Sequence, residues 1–120
     1  MTLRPNAAEL LHVARKHLLD ELLPAIPSHL RYQTLMVANA MAISAREYQL
    51  GACNYAEEVK TLNGLLGEDN AVPENARRSI ASAIRAGQYD ALDARRDGLA
   101  KALMRITLAQ LSISNPKVMP

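Results

Sequence analysis

Apolar residues recur along most of the chain at the three- and four-residue spacing of an α-helix. The most apolar stretch is residues 35–45, LMVANAMAISA, in which only Asn39 and Ser44 are polar. A helix without a polar face is typical of a protein interior, and this stretch is too short to cross a membrane. We therefore expect a buried central helix over about residues 29–50.

Start and stop signals predict further helices on either side of this segment. Asn6, with Glu9 three residues later, forms a capping-box pattern that predicts a helix over about residues 7–23. Ser28 and Gly51 are expected to cap and to end the central helix. The other predicted helices run over about 52–66 with Gly67 as the stop, from Pro73 to Gly87, and over about 91–114 with Asp90 as the cap. The inner face of the helix after Pro73 is expected to hold Ala76, Ile80, Ala83 and Ile84.

Strand signals are missing from the sequence, since its β-branched residues are scattered singly. No long linker and no charge block divides the 120 residues, a length typical of one domain. The sequence therefore predicts an all-α protein with a single domain over residues 1–120. The expected architecture is an up-and-down antiparallel bundle of four to five helices around the buried central helix.

The charge balance and the cysteine content narrow the possible partners and the compartment. The formal net charge is only +2, from 14 basic and 12 acidic side chains, which disfavours a dedicated nucleic-acid binder. Cys53 is the single cysteine, so an internal disulfide is excluded and a reducing cytoplasm is the expected location. Cys53 itself is expected to be a small buried apolar residue. The first twenty residues lack the apolar core of a signal peptide, and no membrane partner is expected.

One line of polar side chains stands out on the central helix. Asn39 and Arg46 lie about 20° apart on the helical wheel, and Arg31 lies within about 80° of Asn39. The favoured interpretation is structural: Asn39 bonds a neighbouring backbone, Arg46 pairs with an acid, and Arg31 extends to solvent. Arg46 and the adjacent Glu47 are expected to pair with different helices. The alternative is an anion site, in which two guanidiniums and an amide hold a carboxylate or a phosphate.

Other candidate chemistry is weak. His12 and His17 lie about 140° apart on one helix and cannot share a metal ion, and Glu57 and Glu58 fit a solvated helix face. The sequence contains no Walker loop, GxGxxG, GxSxG, CxxC or HExxH motif. We expect no catalytic residues, no cofactor and no metal site. The arginines of the C-terminal half are interleaved with Asp90, Asp93 and Asp97, which indicates local ion pairing, with a protein-binding face as the alternative.

Several short words of the sequence are similar to those of a family of small bacterial all-helical proteins of unassigned function. The most specific is VANAMAI followed by ARE at 37–47. The others are RPNAAELL (4–11), LRY (30–32), IRAG (84–87) and SNPK (114–117). The motif positions of the family fall on Arg31, Asn39, Arg46, Glu47 and Asn115. The chain departs from the pattern at His17 and Val118, where an aromatic residue is expected.

The resemblance implies a role through the genomic neighbourhood of the family, which has no established activity of its own. Members are often encoded beside an aminoglycoside-phosphotransferase-like kinase and an acyl-CoA dehydrogenase. We therefore expect a non-catalytic accessory or interaction protein of an acyl-CoA or small-molecule catabolic system. Its partner would be the kinase-like protein, the dehydrogenase, or a second copy in a homodimer. The alternative is a bundle that binds a carboxylate or an acyl-CoA phosphate at Arg31, Asn39 and Arg46.

Overall fold

A computed structural model describes residues 4–119, and these residues contain helices and turns but no strand. This confirms the predicted all-α class. Four α-helices lie within the described residues: α1 Ala7–His17, α2 Arg31–Leu66, α3 Pro73–Arg85 and α4 Ala94–Ser114. Short turns of other helix types follow α1 and α4 and precede α2: a π-turn at Leu18–Leu22 and 3₁₀ turns at Leu23–Ala25, Ser28–Leu30 and Pro116–Val118.

Helix α1 begins with the predicted capping box. The backbone N–H of Glu9 donates to Asn6 Oδ1 at 2.9 Å, and the N–H of Asn6 donates to Glu9 Oε1 at 3.5 Å. Two N–H groups that the first helical turn leaves without partners are thereby bonded. The predicted first helix is shorter than expected as an α-helix, because its last turn, Leu18–Leu22, widens into a π-turn.

Helix α2 continues through Gly51, where the sequence predicted a stop. A glycine that ends a helix adopts a left-handed conformation, and the described glycines with positive φ are Gly67 and Gly87. Gly51 stays helical, since one glycine costs only ~1 kcal/mol relative to alanine within a helix. Gly67, at φ 65°, ends α2 as predicted, and its N–H donates to Asn63 O at 2.9 Å.

Two predicted N-caps are wrong. Ser28 makes no capping hydrogen bond and instead opens the turn Ser28–Leu30. Asp93 takes the place expected for Asp90, because its Oδ1 accepts from the backbone N–H of Arg95 at 3.0 Å and of Arg96 at 3.3 Å. At the start of α4, a residue closer to the helix bonds the free N–H groups, and before α2 a local turn takes the place of the cap.

The chain divides into two compact units. The second unit, Ala52–Ser112 with the end of the chain, contains a core cluster to which the C-terminal half of α2, α3 and α4 contribute. Its members are Leu62, Ala76, Ile80, Ala83, Tyr89 and Leu99. Ile84, predicted to face inward, is exposed because the buried stripe of α3 follows Ala76, Ile80 and Ala83. The single domain predicted for residues 1–120 stays a prediction.

The first unit runs up to Gly51 and includes Ile113–Lys117. In it, Arg15 Nε donates to Ala38 O at 3.1 Å and so ties α1 to α2. In α2 up to Gly51, Ala38 and Ala45 are the buried apolar residues. The buried central helix predicted over about 29–50 is therefore wrong. An apolar surface on all sides of a helix can be buried only by neighbours on all sides, and here α1 covers one face.

Candidate functional site

The predicted polar line of α2 does not form an enclosed site in the first unit. Arg46 is half-buried, and its Nε donates to Ile113 O at 2.6 Å. Ile113 lies in the last turn of α4, where carbonyl groups lack helical partners and the helix dipole favours a cation. Arg46 therefore caps the C-terminus of α4. Its partner is a backbone carbonyl group on another helix, so the prediction that Arg46 pairs with an acid is wrong.

The other members of the line are exposed. The side chains of Arg31 and Asn39 make no hydrogen bond with the described residues, so the backbone partner predicted for Asn39 is not found. The exposed Glu47 side chain lies over Gly51, where an added Cβ would come within 2.6 Å of Glu47 Oε1. Anion binding by Arg31, Asn39 and Arg46 stays a prediction. Asn115 and Val118, both exposed, and the exposed His17 lie outside these contacts.

Sequence reasoning missed a surface of exposed large apolar side chains in the first unit. On α2 a stripe with alternating four- and three-residue spacing runs along one side. We call it the α2 seam, and it consists of Tyr32, Met36, Asn39, Ile43, Arg46 and Leu50. Tyr32 is 72% exposed and Met36 is 55% exposed. The spacing can be read from the sequence, but the apolar character of residues 35–45 on all sides predicted burial within the chain instead.

A buried ion pair in the second unit was also missed. Glu58, only 8% exposed, accepts two hydrogen bonds from Arg77, at 2.5 Å to Nε and 2.6 Å to Nη2. The hydrogen bond to this carboxylate raises the pKa of Arg77 above its usual value. Glu58 was predicted to be solvated, as its neighbour Glu57 is. The available signal was the four-residue spacing from Glu58 to Leu62, which places both on the buried face of α2.

Two asparagine side chains bond backbone groups within the second unit. Asn63 accepts from the backbone N–H of Asn70 at 3.0 Å and donates to Asn70 O at 2.9 Å, which closes the loop after α2. Asn54 Nδ2 donates to Ala109 O at 2.9 Å and links α2 to α4. Both side chains give local polar groups a partner, so they have a structural role.

The second unit also has an open cleft of about 650 Å³, which we call the α3 cleft. One wall is the polar stripe of α3 that contains Asn75, Arg78, Ser79 and Ser82. The facing wall includes Tyr89 and Arg95, whose guanidinium lies 5.3 Å from the centre of the Tyr89 ring. No motif in the sequence pointed to this cleft, since its residues are ordinary polar positions of an amphipathic helix.

The remaining candidates add no chemistry. Cys53 is exposed, so the prediction that it is a buried apolar residue is wrong. Among residues 4–119, no three His, Cys, Asp or Glu side chains are placed to hold a metal ion. Within the same part of the chain, no helix combines the length and apolar character needed to cross a membrane.

Comparisons with known proteins give one match. Neither the curated proteins nor the solved structures gave a match to this chain. A family described as "Domain of unknown function (DUF6285)" matches residues 24–118, which include α2, α3, α4 and every residue of the α2 seam and the α3 cleft. The match covers well over half of the 120 residues. The chain therefore belongs to the DUF6285 family, a domain of unknown function.

Proposed function

We propose that this protein is a non-catalytic interaction protein whose first unit associates with a second copy of the chain through the α2 seam. The observation that carries the proposal is the number of large apolar side chains exposed between residues 10 and 50. They are Leu10, Val13, Leu22, Leu30, Tyr32, Leu35, Met36, Val37, Tyr48 and Leu50. Exposed apolar side chains in this number on a small protein are typical of an interaction site where they share one face, and on α2 Tyr32, Met36 and Leu50 do so.

The α2 seam has the spacing that two packed helices need. Met36, Ile43 and Leu50 are seven residues apart, and Tyr32, Asn39 and Arg46 repeat at the same interval. This is the pattern of a helix pair whose side chains interlock. When the same alternating spacing is continued beyond Leu50, it reaches Cys53, Glu57 and Lys60. The apolar seam therefore ends where the second unit begins.

The chemistry of the seam favours a second copy over an unlike partner. The Asn39 amide is both a donor and an acceptor, so it can bond its own copy across a two-fold axis. A single polar residue in such a seam also fixes the register of the pair. An antiparallel pair centred near Asn39 keeps the two Arg46 side chains ~20 Å apart, at 1.5 Å per residue, whereas an in-register parallel pair brings them together.

The exposed apolar side chains supply a large part of the area that such a dimer needs. Without Val37 and Tyr48, which point away from the seam, eight side chains of ~150 Å² that are about half exposed present on the order of 600 Å². An interface of standard size takes ~800 Å² from each partner. The seam supplies the centre of this area, and its flanking positions Leu35, Ala40 and Ala42 carry no charge.

In its wider role, the protein is proposed to be an accessory of an acyl-CoA or small-molecule catabolic system. This part rests on the family resemblance of the sequence, which implies genes for a kinase-like protein and an acyl-CoA dehydrogenase beside those of family members. Co-purification of a kinase-like protein or an acyl-CoA dehydrogenase with the tagged full chain from native lysate supports it. Recovery of neither from native lysate at physiological salt counts against this wider role without affecting the proposed dimer.

Sedimentation equilibrium of the full chain tests the dimer. We expect a mass of twice 13.1 kDa at micromolar concentration. Met36→Glu places a carboxylate in the seam, so it should shift the chain to monomer because an unpaired charge is costly to bury. The matched control is Val37→Glu, since Val37 is also about half exposed, at 49%, but points about 100° away.

Three outcomes of this experiment are informative. A dimer that Met36→Glu dissociates and Val37→Glu preserves supports the proposal. A dimer that only Val37→Glu dissociates overturns the assignment of the seam. A wild-type chain that stays monomeric up to ~100 µM contradicts the dimer, since an interface of standard size commonly binds more tightly than that.

A further inference from the structure

The α3 cleft collects hydrogen-bond donors on one stripe of a helix. Asn75, Arg78, Ser79 and Ser82 follow one another at the spacing that aligns side chains along α3. Their side chains make no hydrogen bond with the described residues, so their donors are unused. The stripe lies beside the buried stripe of α3, and it is therefore held in place by the core beneath it.

The positive charge of the cleft is only partly compensated. Arg77 and Arg78 are neighbours that diverge by about 100°: Arg77 is neutralised by Glu58, whereas Arg78 has no acidic partner within the described residues. The Arg95 guanidinium likewise lies over the Tyr89 ring and forms no ion pair with a described residue. One acid, Glu68, lines the cleft, and its Oε1 accepts from Asn70 Nδ2 at 3.2 Å. Two guanidiniums therefore face a single carboxylate.

Part of the cleft lining is apolar. Leu65, Leu66 and Ala83 line it, together with the largely buried Tyr89, beside the polar Asn70 and Gln88. The stacking of Arg95 on the Tyr89 ring restrains the guanidinium at the edge of this apolar part. A volume of about 650 Å³ lies within the usual range of small-molecule sites. A lining that combines polar donors with an apolar part fits a ligand with two unlike parts.

We propose that the α3 cleft binds a small phosphate monoester with an apolar or aromatic group. The phosphate oxygens accept hydrogen bonds from Arg78 and Arg95, and from the hydroxyls of Ser79 and Ser82. Phosphate suits this set better than carboxylate does, because it offers three acceptor oxygens and up to two negative charges. The apolar group lies against Leu66 and Tyr89. This site is independent of the proposed dimer, because the α2 seam contributes no residue to it.

Titration of the full chain with phenyl phosphate tests the site. Isothermal calorimetry at low salt is suitable, with inorganic phosphate and phenol as separate probes. Phenyl phosphate should bind more tightly than inorganic phosphate, and phenol most weakly. Arg78→Gln and Arg95→Gln should each weaken phenyl phosphate binding about tenfold or more, since each removes charge-assisted hydrogen bonds. Arg85→Gln is the matched control, because Arg85 lies on the same helix outside the cleft.

Amide chemical shifts locate the binding independently of the variants. Saturable shifts over residues 75–95, without shifts over 32–50, support the cleft. The proposal is overturned if phenyl phosphate gives no saturable signal up to ~10 mM. It is also overturned if the Arg78→Gln, Arg95→Gln double variant, with an unchanged unfolding midpoint, binds as tightly as the wild type does. Equal weakening by Arg85→Gln would show general charge attraction only, which also contradicts a site.

Discussion

The first half of helix α2 exposes most of its large apolar side chains, whereas in the second half Leu62, Leu65 and Leu66 pack in the core with α3 and α4. Met36 is 55% exposed in the first half, and Leu62 is 1% exposed in the second. The first half is the more apolar of the two in sequence. The difference teaches that neighbours decide burial: three helices contribute to the core around Leu62, while α1 covers one face of the first half.

The largest expected effect is the difference in stability loss between an alanine substitution in the second half of α2 and one in the first half. Leu62→Ala should lower the free energy of unfolding by about 2–5 kcal/mol, because it leaves a cavity in a packed core. Leu35→Ala, in the exposed half, should cost less than ~1 kcal/mol. Urea denaturation of the chain at dilute, monomeric concentration measures both. Equal losses would break the comparison, because they would mean that Leu35 is packed as tightly as Leu62.

Local signals in the sequence were sufficient for much of the fold. The capping box of Asn6 and Glu9, the stop at Gly67 and the start of α3 at Pro73 depend on backbone chemistry within a few residues. They therefore follow from residue type and position. The helix end predicted at Gly51 was wrong because the conformation of this glycine depends on how stable the helix formed by its neighbours is, which a single residue type does not reveal.

The candidate sites were harder to predict, because they depend on contacts distant in sequence. Arg46 was singled out correctly as a polar position on α2, but its bond to Ile113 spans 67 residues. The pairing of Glu58 with Arg77 and the exposure of Asn39 likewise depend on which helices lie alongside. The α3 cleft was invisible in the sequence, since Arg78 differs from Arg77 only in the side of α3 that it faces.

A smaller loss of stability is expected when the ion pair between Arg77 and Glu58 in the second unit is broken. Arg77→Ala leaves the Glu58 carboxylate buried without its partner, and we expect a loss of about 1–2 kcal/mol. The value is below that of a fully buried pair because Arg77 is itself half exposed and screened by solvent. Arg78→Ala, the adjacent control, should change stability by less than ~0.5 kcal/mol. Equal effects of the two variants would contradict a structural role specific to Arg77.

The pH dependence of this pair has a definite sign. The pKa of Arg77 is raised in the folded chain. The contribution of protonated Arg77 to the free energy of unfolding is therefore complete below the usual pKa of arginine, and it is lost only as the pH rises through the raised pKa. The stability difference between wild type and Arg77→Ala should therefore stay constant from about pH 7 to about pH 10. Denaturation at these two pH values checks it, and a difference that falls within this window would contradict it.

The smallest expected effect concerns Asn39 in the exposed half. Asn39→Leu should change the unfolding free energy of the monomer by less than ~0.5 kcal/mol, because the amide is exposed and bonds no described residue. A loss of 2 kcal/mol or more, at about the level of a buried amide left without its partner, would show that Asn39 bridges helices. If Asn39→Leu also abolishes thermal stabilisation by phosphate, the predicted anion line with Arg31 and Arg46 gains support.

The most direct test asks whether a second copy covers the exposed half of α2. In a Cys53→Ser background, which removes the exposed thiol, Met36→Cys and Val37→Cys place single thiols on adjacent sides of the helix. At nanomolar concentration both thiols should react rapidly with a maleimide reagent. At ~100 µM, where the dimer forms, Met36→Cys should become protected while Val37→Cys stays reactive. Equal reactivity of Met36→Cys at both concentrations would contradict the proposed interface.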